Sequence, residues 1–316
     1  RFGTFVPPTL IEINEVSELG REVFGPVLHV VRFRRQDLGA LIEEINALGY
    51  GLTFGLHTRI DTTIAEVTSR IAAGNIYINR NQIGAVVGVQ PFGGHGLSGT
   101  GPKAGGPLYL RRLVSTTRRD AWGLPPRQPG PTLIAFADWV RAKGYDDLAE
   151  QAVAYGTSAA INAFCEFEGP VGERNTYGTH AKGKVLIVPQ TIAGLVHGLA
   201  ATLAAGNDAV IETNPLLGAV LSDLPAEFRP RVEIAREGIG AGAVNAVLAE
   251  GDGETIRALN RRIAEWDGPI TLLQGATTDR LVSGEAVYAV DLLVDEVSVS
   301  TNTAAAGGNA TLMALA

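Results

Sequence analysis

Apolar and polar positions along this chain fall into two rhythms that succeed one another twice. Residues 10–13 read as a short strand, and residues 27–33 form the near-continuous apolar run of a buried strand. In residues 36–48, Leu38, Leu41, Ile42, Ile45 and Leu48 fall at helical spacing, and Gly49 ends the helix. Residues 52–58 return to a strand pattern. Asp61 is suited to cap a helix running to Ala73, with Gly74 at its C′ position, and residues 75–79 form a further strand. This β-α-β-α-β order predicts a parallel sheet covered by helices.

A second alternation fills the other half. Helices are predicted over 133–143, stopped by Gly144, and over 147–164. Then come strand 184–189, helix 191–205, strand 208–212, a helical 229–237, strand 243–248, helix 254–266 and strand 269–274. Segments 288–294 and 297–301 are β-like and predict a hairpin or extension. Between the halves, WGLPPRQPGP at 122–131 holds four prolines and two glycines and reads as a linker. The expected class is α/β, divided into residues 1–121, a linker at 122–131, and residues 132–316.

One stretch departs from both rhythms. GAVVGVQPFGGHGLSGTGPKAGG, residues 84–106, has nine glycines in 23 positions. Each glycine adds backbone entropy that folding must remove, so such a run is kept where the backbone turns sharply or lies close to something else. With Pro91, Phe92 and Lys103 inside it, the run reads as a shaped loop system lining a pocket.

Composition narrows the function classes. The 316 residues carry a net charge of −7, and no basic cluster exceeds Arg34-Arg35, Arg111-Arg112 and Arg118-Arg119, which argues against a nucleic-acid surface. A single cysteine, Cys165, excludes an intrachain disulfide and fits a reducing, cytoplasmic compartment. No apolar stretch reaches membrane-spanning length; the segment 191–205 is too short and holds His197. There is no signal peptide, and a start at Arg1 inside strand-like sequence suggests a fragment of something longer. The five histidines lack metal-ligand spacing, so no metal is expected. Two glycine patterns, Gly94-x-Gly96-x-x-Gly99 and Gly238-x-Gly240-x-x-Ala243, lack the strand-turn-helix context of a dinucleotide fingerprint. Glu166 beside Cys165 opposes thiolate formation, so that cysteine is expected to be structural and inert. Ser98 lacks a nucleophile elbow and a histidine partner pattern, so it is not expected to be a nucleophile.

Three ordered blocks carry a family resemblance: Glu22-Val23-Phe24-Gly25-Pro26, Gly74-Asn75-Ile76-Tyr77-Ile78-Asn79-Arg80, and Gln90-Pro91-Phe92-Gly93-Gly94 with Ser98-Gly99. Together they resemble the C-terminal third of an aldehyde dehydrogenase catalytic domain. The extended form, NIYINRNQIGAVVGVQPFGG followed by SGTGPKAGGPLYL, is similar to the Δ1-pyrroline-5-carboxylate dehydrogenase branch, and most closely to the bifunctional proline utilisation A flavoenzymes. Residues 169–177, 183–189, 203–207 and 275–278 resemble pieces of the family's NAD domain, placed after the catalytic blocks rather than before them. The resemblance thus implies a degenerate, Rossmann-like, non-catalytic domain appended as a C-terminal cap, with a small β extension.

The resemblance also assigns roles. Glu22 would accept hydrogen bonds from the nicotinamide ribose of NAD, and Phe24 would pack beside the ring; the residues alone equally fit a surface Glu before a Gly-Pro turn. Phe92 would wall the aldehyde, against the alternative of a core aromatic. Gly105 and Gly106 would grip a substrate carboxylate through successive N–H groups, with Ser98 touching it, against the alternative of a plain turn. Glu212 stands where the family has a Lys facing the adenosine ribose. Ala305-Ala306-Gly307-Gly308 stands where it has E-T-G-G, so the appended domain is expected to bind no NAD. The implied parent oxidises proline with FAD in a domain absent here, then glutamate γ-semialdehyde to glutamate with NAD. This chain would hold no catalytic residue of its own, would be inactive alone, and would partner the remainder of the parent, as a possible homo-oligomer that is possibly membrane-peripheral. The C-terminal domain would close an internal substrate channel, with the β segments near 288–301 as a flap. The rival expectation is a stand-alone, non-catalytic interaction or ligand-binding module.

Overall fold

The computed structural model describes residues 3–113, 128–235, 239–284 and 288–303. The N-terminal half runs β1 (Thr9–Ile13), β2 (Val27–Val31), α1 (Leu38–Ala47), β3 (Tyr50–Gly51), β4 (Thr53–Leu56), α2 (Asp61–Arg70), β5 (Asn75–Ile78) and β6 (His95–Gly96). The C-terminal half runs α3 (Pro131–Ala142), α4 (Asp146–Ser158), β7 (Phe164–Phe167), β8 (Glu173–Ala181), β9 (Lys184–Val188), α5 (Ile192–Ala204), β10 (Asp208–Ile211), α6 (Pro215–Ser222), β11 (Val232–Ile234), β12 (Ala246–Glu250), α7 (Gly253–Ala264), β13 (Leu272–Ala276), α8 (Thr278–Ser283) and β14 (Val294–Asn302). The α/β class predicted from the sequence is the observed one.

Strands β11-β10-β9-β12-β13 form an all-parallel sheet. Numbered within that sheet, the order is 3-2-1-4-5, the doubly wound order. Its strands are apolar on both faces. Val185, Ile187, Ala209, Ile211 and Leu248 pack toward α3, α4 and α5, while Leu186, Val210 and Val247 pack toward Leu259 and Ile263 of α7. Helix α5 is buried almost throughout, which explains why its sequence is apolar on every side.

The second five-stranded sheet joins the two halves. Its order is β4-β5-β14-β8-β7, with β14 parallel to β5 and antiparallel to β8. Residues 288–301 therefore do not form a hairpin. The 3-10 turn Val290–Leu293 leads into one nine-residue strand. That strand alternates strictly: Val297 and Val299 pack on the core formed by Ile42, Val67, Ile76 and Ile78, while Glu296, Ser298 and Ser300 are buried on the opposite face.

Other expectations are corrected. Segment 229–237 is not helical where described; a 3-10 turn at Arg229–Arg231 leads into β11. The helix predicted over 147–164 stops at Ser158, and Cys165 lies on β7, an edge strand. Helix α2 ends at Arg70, so Gly74 is not its C′ residue. Gly74 serves a close approach instead: a Cβ there would overlap the Gly93 carbonyl oxygen. Strand β2 is half-exposed rather than buried, with Leu28 59% exposed, because it pairs only with β1. Most of the proposed linker and the whole Ala305–Gly308 motif lie outside the described residues.

Candidate functional site

The glycine loop packs on the polar face of the shared sheet, and three inward side chains of β14 hold it. Ser300 Oγ lies 3.1 Å from Gln90 Nε2 and 2.8 Å from Arg80 Nη1. Ser298 donates to the Pro91 carbonyl at 2.7 Å. Glu296 Oε2 accepts the Lys103 backbone N–H at 2.7 Å, and its carbonyl lies 2.9 Å from His95 Nε2. From β8, Glu173 pairs with Arg80 at 2.7 Å, and Asn175 Oδ1 accepts from Gln90 at 3.0 Å. A strand reading V-x-V with Glu, Ser and Ser in between carries this signal in its alternation. Nothing in the sequence says which segment those polar residues meet.

Phe92 and Ala104 form an isolated antiparallel bridge, with N–O distances of 3.0 and 2.8 Å. This bridge ties the predicted aldehyde wall to the residue just before Gly105 and Gly106. Gly105 is exposed at φ +70° with open space at its Cβ position. The Gly106 N–H donates to the Lys103 carbonyl at 3.0 Å, so of the two predicted carboxylate donors only the Gly105 N–H keeps a free direction. Ser98 is half-buried, and its hydroxyl accepts the Gly51 N–H at 3.1 Å.

No motif marks Lys103 as a site residue. It is 2% exposed, and its Nζ donates to the Gly93 carbonyl at 2.6 Å and to Asn75 Oδ1 at 3.2 Å. Burial pulls its pKa down to about 8, against the attraction of Glu296 and Asp295. Burial raises the pKa of Glu296, against hydrogen bonds from Tyr177 and Lys103.

Glu22 and Phe24 sit on the segment before β2. The Glu22 N–H donates to the Tyr50 hydroxyl at 3.3 Å, and Tyr50 pairs with Gly96 of the glycine loop, so the structure brings this block beside the loop. The Glu22 carboxylate has no hydrogen-bond or ion-pair partner among the described residues, and Phe24 is 95% exposed. A free carboxylate next to an unpacked ring fits a ribose diol and a nicotinamide. Cys165 is half-buried, and burial raises its thiol pKa. Burial works against the thiolate form that a reactive cysteine needs.

The crevice at the carboxyl edge of the parallel sheet is built differently. Glu250, at the end of β12, is 1% exposed and accepts from the Gln190 N–H at 2.6 Å, the Thr191 N–H at 2.8 Å and the Thr191 hydroxyl at 2.8 Å. It occupies the start of α5, where the switch point between β9 and β12 would offer backbone donors to a phosphate. A Cβ at Gly194 would overlap its carboxylate. Glu212 directly follows the second strand of this sheet and pairs with Arg262 at 2.8 Å. These residues do not fit a dinucleotide.

Residues 1–118 match the model of the aldehyde dehydrogenase family. More narrowly, the chain aligns over nearly its whole length with one segment of PutA proteins. The bifunctional protein PutA of Rhizobium meliloti is 54% identical over 317 residues, covering 99% of this chain and 26% of that protein. The 1-pyrroline-5-carboxylate dehydrogenase of Bacillus subtilis is 42% identical over 110 residues, 34% of this chain and 21% of that protein. The chain thus spans about a quarter of the length of the PutA relatives it matches. Among solved structures, proline utilization A from Corynebacterium freiburgense shares the fold, with TM-score 0.57 at 21% identity, covering 88% of this chain and 25% of that one.

Proposed function

We propose that this chain supplies one wall of an NAD-dependent glutamate γ-semialdehyde dehydrogenase site within a larger proline-catabolic enzyme, together with a non-catalytic domain that braces and closes that site. The observation that supports this reading is the Phe92–Ala104 bridge, which ties Phe92 to the residue just before the Gly105-Gly106 turn. A substrate with an aldehyde at one end and a carboxylate at the other matches that spacing of functions. Phe92 excludes water from the aldehyde end, and the Gly105 N–H orients the carboxylate end. Glu22 and Phe24 would hold the nicotinamide riboside. NAD, when bound, supplies the hydride acceptor.

The attacking thiol comes from a part of the parent outside residues 1–316, because Cys165 sits on an edge strand with its thiol pKa raised by burial, and the water-activating carboxylate is assigned to the same part. The C-terminal half binds no NAD, since Glu250 already satisfies the donors at the start of α5. Its part is structural, as a channel-closing domain whose strand β14 is the flap.

The full parent enzyme should reduce NAD with glutamate γ-semialdehyde, whereas the isolated 316-residue chain should produce no NADH. Turnover by the isolated chain would refute the assignment. Removing residues 129–316 from the parent should slow coupled proline-to-glutamate conversion more than proline oxidation; equal effects would refute the closing role.

A further inference from the structure

We propose that Glu296 is a positioning residue for the substrate loop, contributed by the appended half to the dehydrogenase site. This rests on the reading above. Its carboxylate is 5% exposed and spans two donors: the Lys103 N–H at Oε2 and the Tyr177 hydroxyl at Oε1, each at 2.7 Å. Lys103 precedes Ala104, which is bridged to Phe92 and precedes the Gly105-Gly106 turn. Holding one N–H therefore fixes both the aldehyde wall and the carboxylate turn. The Gly106 Cβ position lies 3.1 Å from Glu296 Oε1, so the loop is packed against the carboxylate and not only tethered to it.

The geometry also explains why an acid stands there. The loop offers a backbone donor and the partner strand offers a phenol, so the site needs an acceptor with two oxygens and no donor. The Lys103 ammonium is a cation near this carboxylate, but its Nζ donates to Gly93 and Asn75, so the carboxylate takes the backbone N–H. Tyr177 lies on β8 and Glu296 on β14, both in the C-terminal half, while the Lys103 N–H that Glu296 accepts lies in the N-terminal half. The appended half thereby reaches the site through a defined side chain, in addition to covering it.

The test uses the full parent enzyme carrying Glu296→Gln, Glu296→Ala or Tyr177→Phe. Losing a charged acceptor of a buried N–H should raise KM for glutamate γ-semialdehyde about tenfold in Glu296→Ala. The rise should be about threefold in Tyr177→Phe, with KM for NAD and proline oxidation changed less than about twofold. Hydrogen exchange should quicken in residues 101–108 and not in 75–78. An active wild-type enzyme whose variants keep the semialdehyde KM, or whose two KM values rise together, would overturn the inference. Should Glu296→Ala fail to fold, Glu296→Gln and Tyr177→Phe decide by the same split. A wild-type parent that does not oxidise the semialdehyde would refute the function, while the exchange measurement would still test whether Glu296 holds the loop.

Discussion

The two halves of this chain are both α/β, and they leave their carboxylates in opposite states. In the N-terminal half, Glu22 presents a carboxylate with no partner among the described residues, beside a Phe24 ring that is 95% exposed. In the C-terminal half, the start of α5 is filled by the chain's own Glu250, 1% exposed and accepting from two N–H groups and a hydroxyl. A doubly wound sheet offers backbone donors at its carboxyl edge whatever its sequence. One buried acid can turn that edge from a binding site into a structural joint.

The contrast can be broken in several ways. The largest effect should come from Gly74→Ala, because the added methyl would overlap the backbone oxygen of Gly93, which cannot move without shifting the glycine loop. A loss of about 3 kcal/mol in chemical denaturation is expected. An unchanged midpoint would mean the loop is not seated against β5. Glu250→Ala strips the acceptor from two backbone donors and should lower stability by about 2 kcal/mol. NAD should raise the melting temperature of neither that variant nor the wild-type chain. A rise in the wild type would remove the difference between the halves.

A smaller effect concerns pH. His197 is buried, with its Nδ1 2.8 Å from the Tyr155 hydroxyl and its Nε2 3.1 Å from the Leu281 carbonyl. Desolvation lowers its pKa below 6.5, opposed by that carbonyl and by the charge of Glu250. The unfolded chain takes up a proton near pH 6.5 that the folded chain resists. Stability is therefore kept above that pH and lost as pH falls below it. Melting temperature should drop between about pH 7.5 and about pH 5.5, and His197→Gln should flatten that slope. The smallest stability effect belongs to Phe24→Ala, within about 0.5 kcal/mol because the ring is almost fully exposed. The same change in the parent enzyme should raise KM for NAD. A stability loss without a KM effect would move Phe24 into the core.

Much of the fold was legible because local patterns and tertiary demands agree. The β9-α5-β10 run shows it: Thr191 caps α5 by accepting the Gly194 N–H at 3.2 Å, and the flanking strands are short apolar runs. Legibility failed where a short segment fits two periods. Val232 and Ile234 read as one turn of helix but pair with β10, whose edge decides the matter. It failed again at β14, whose two partners come from different halves and are separated from each other by nearly a hundred residues. Motif spacing points to Glu22, Phe24 and Phe92, whereas no motif points to Lys103, Glu250 or Glu296. A buried acid or lysine looks like any surface charge until its desolvation and partners are known.

By itself, the sequence determined the α/β class, the succession of most elements and the existence of a glycine-dense loop. Those follow from side-chain period, caps and turn residues, all of which act within a few positions. Tertiary structure decided that one strand of the C-terminal half completes the sheet of the N-terminal half. It also decided that the polar face of that strand holds the loop, and that Glu250 fills its own crevice. Each of these depends on which backbone donor meets which buried acceptor across a long sequence separation, and a one-dimensional pattern carries no record of that pairing.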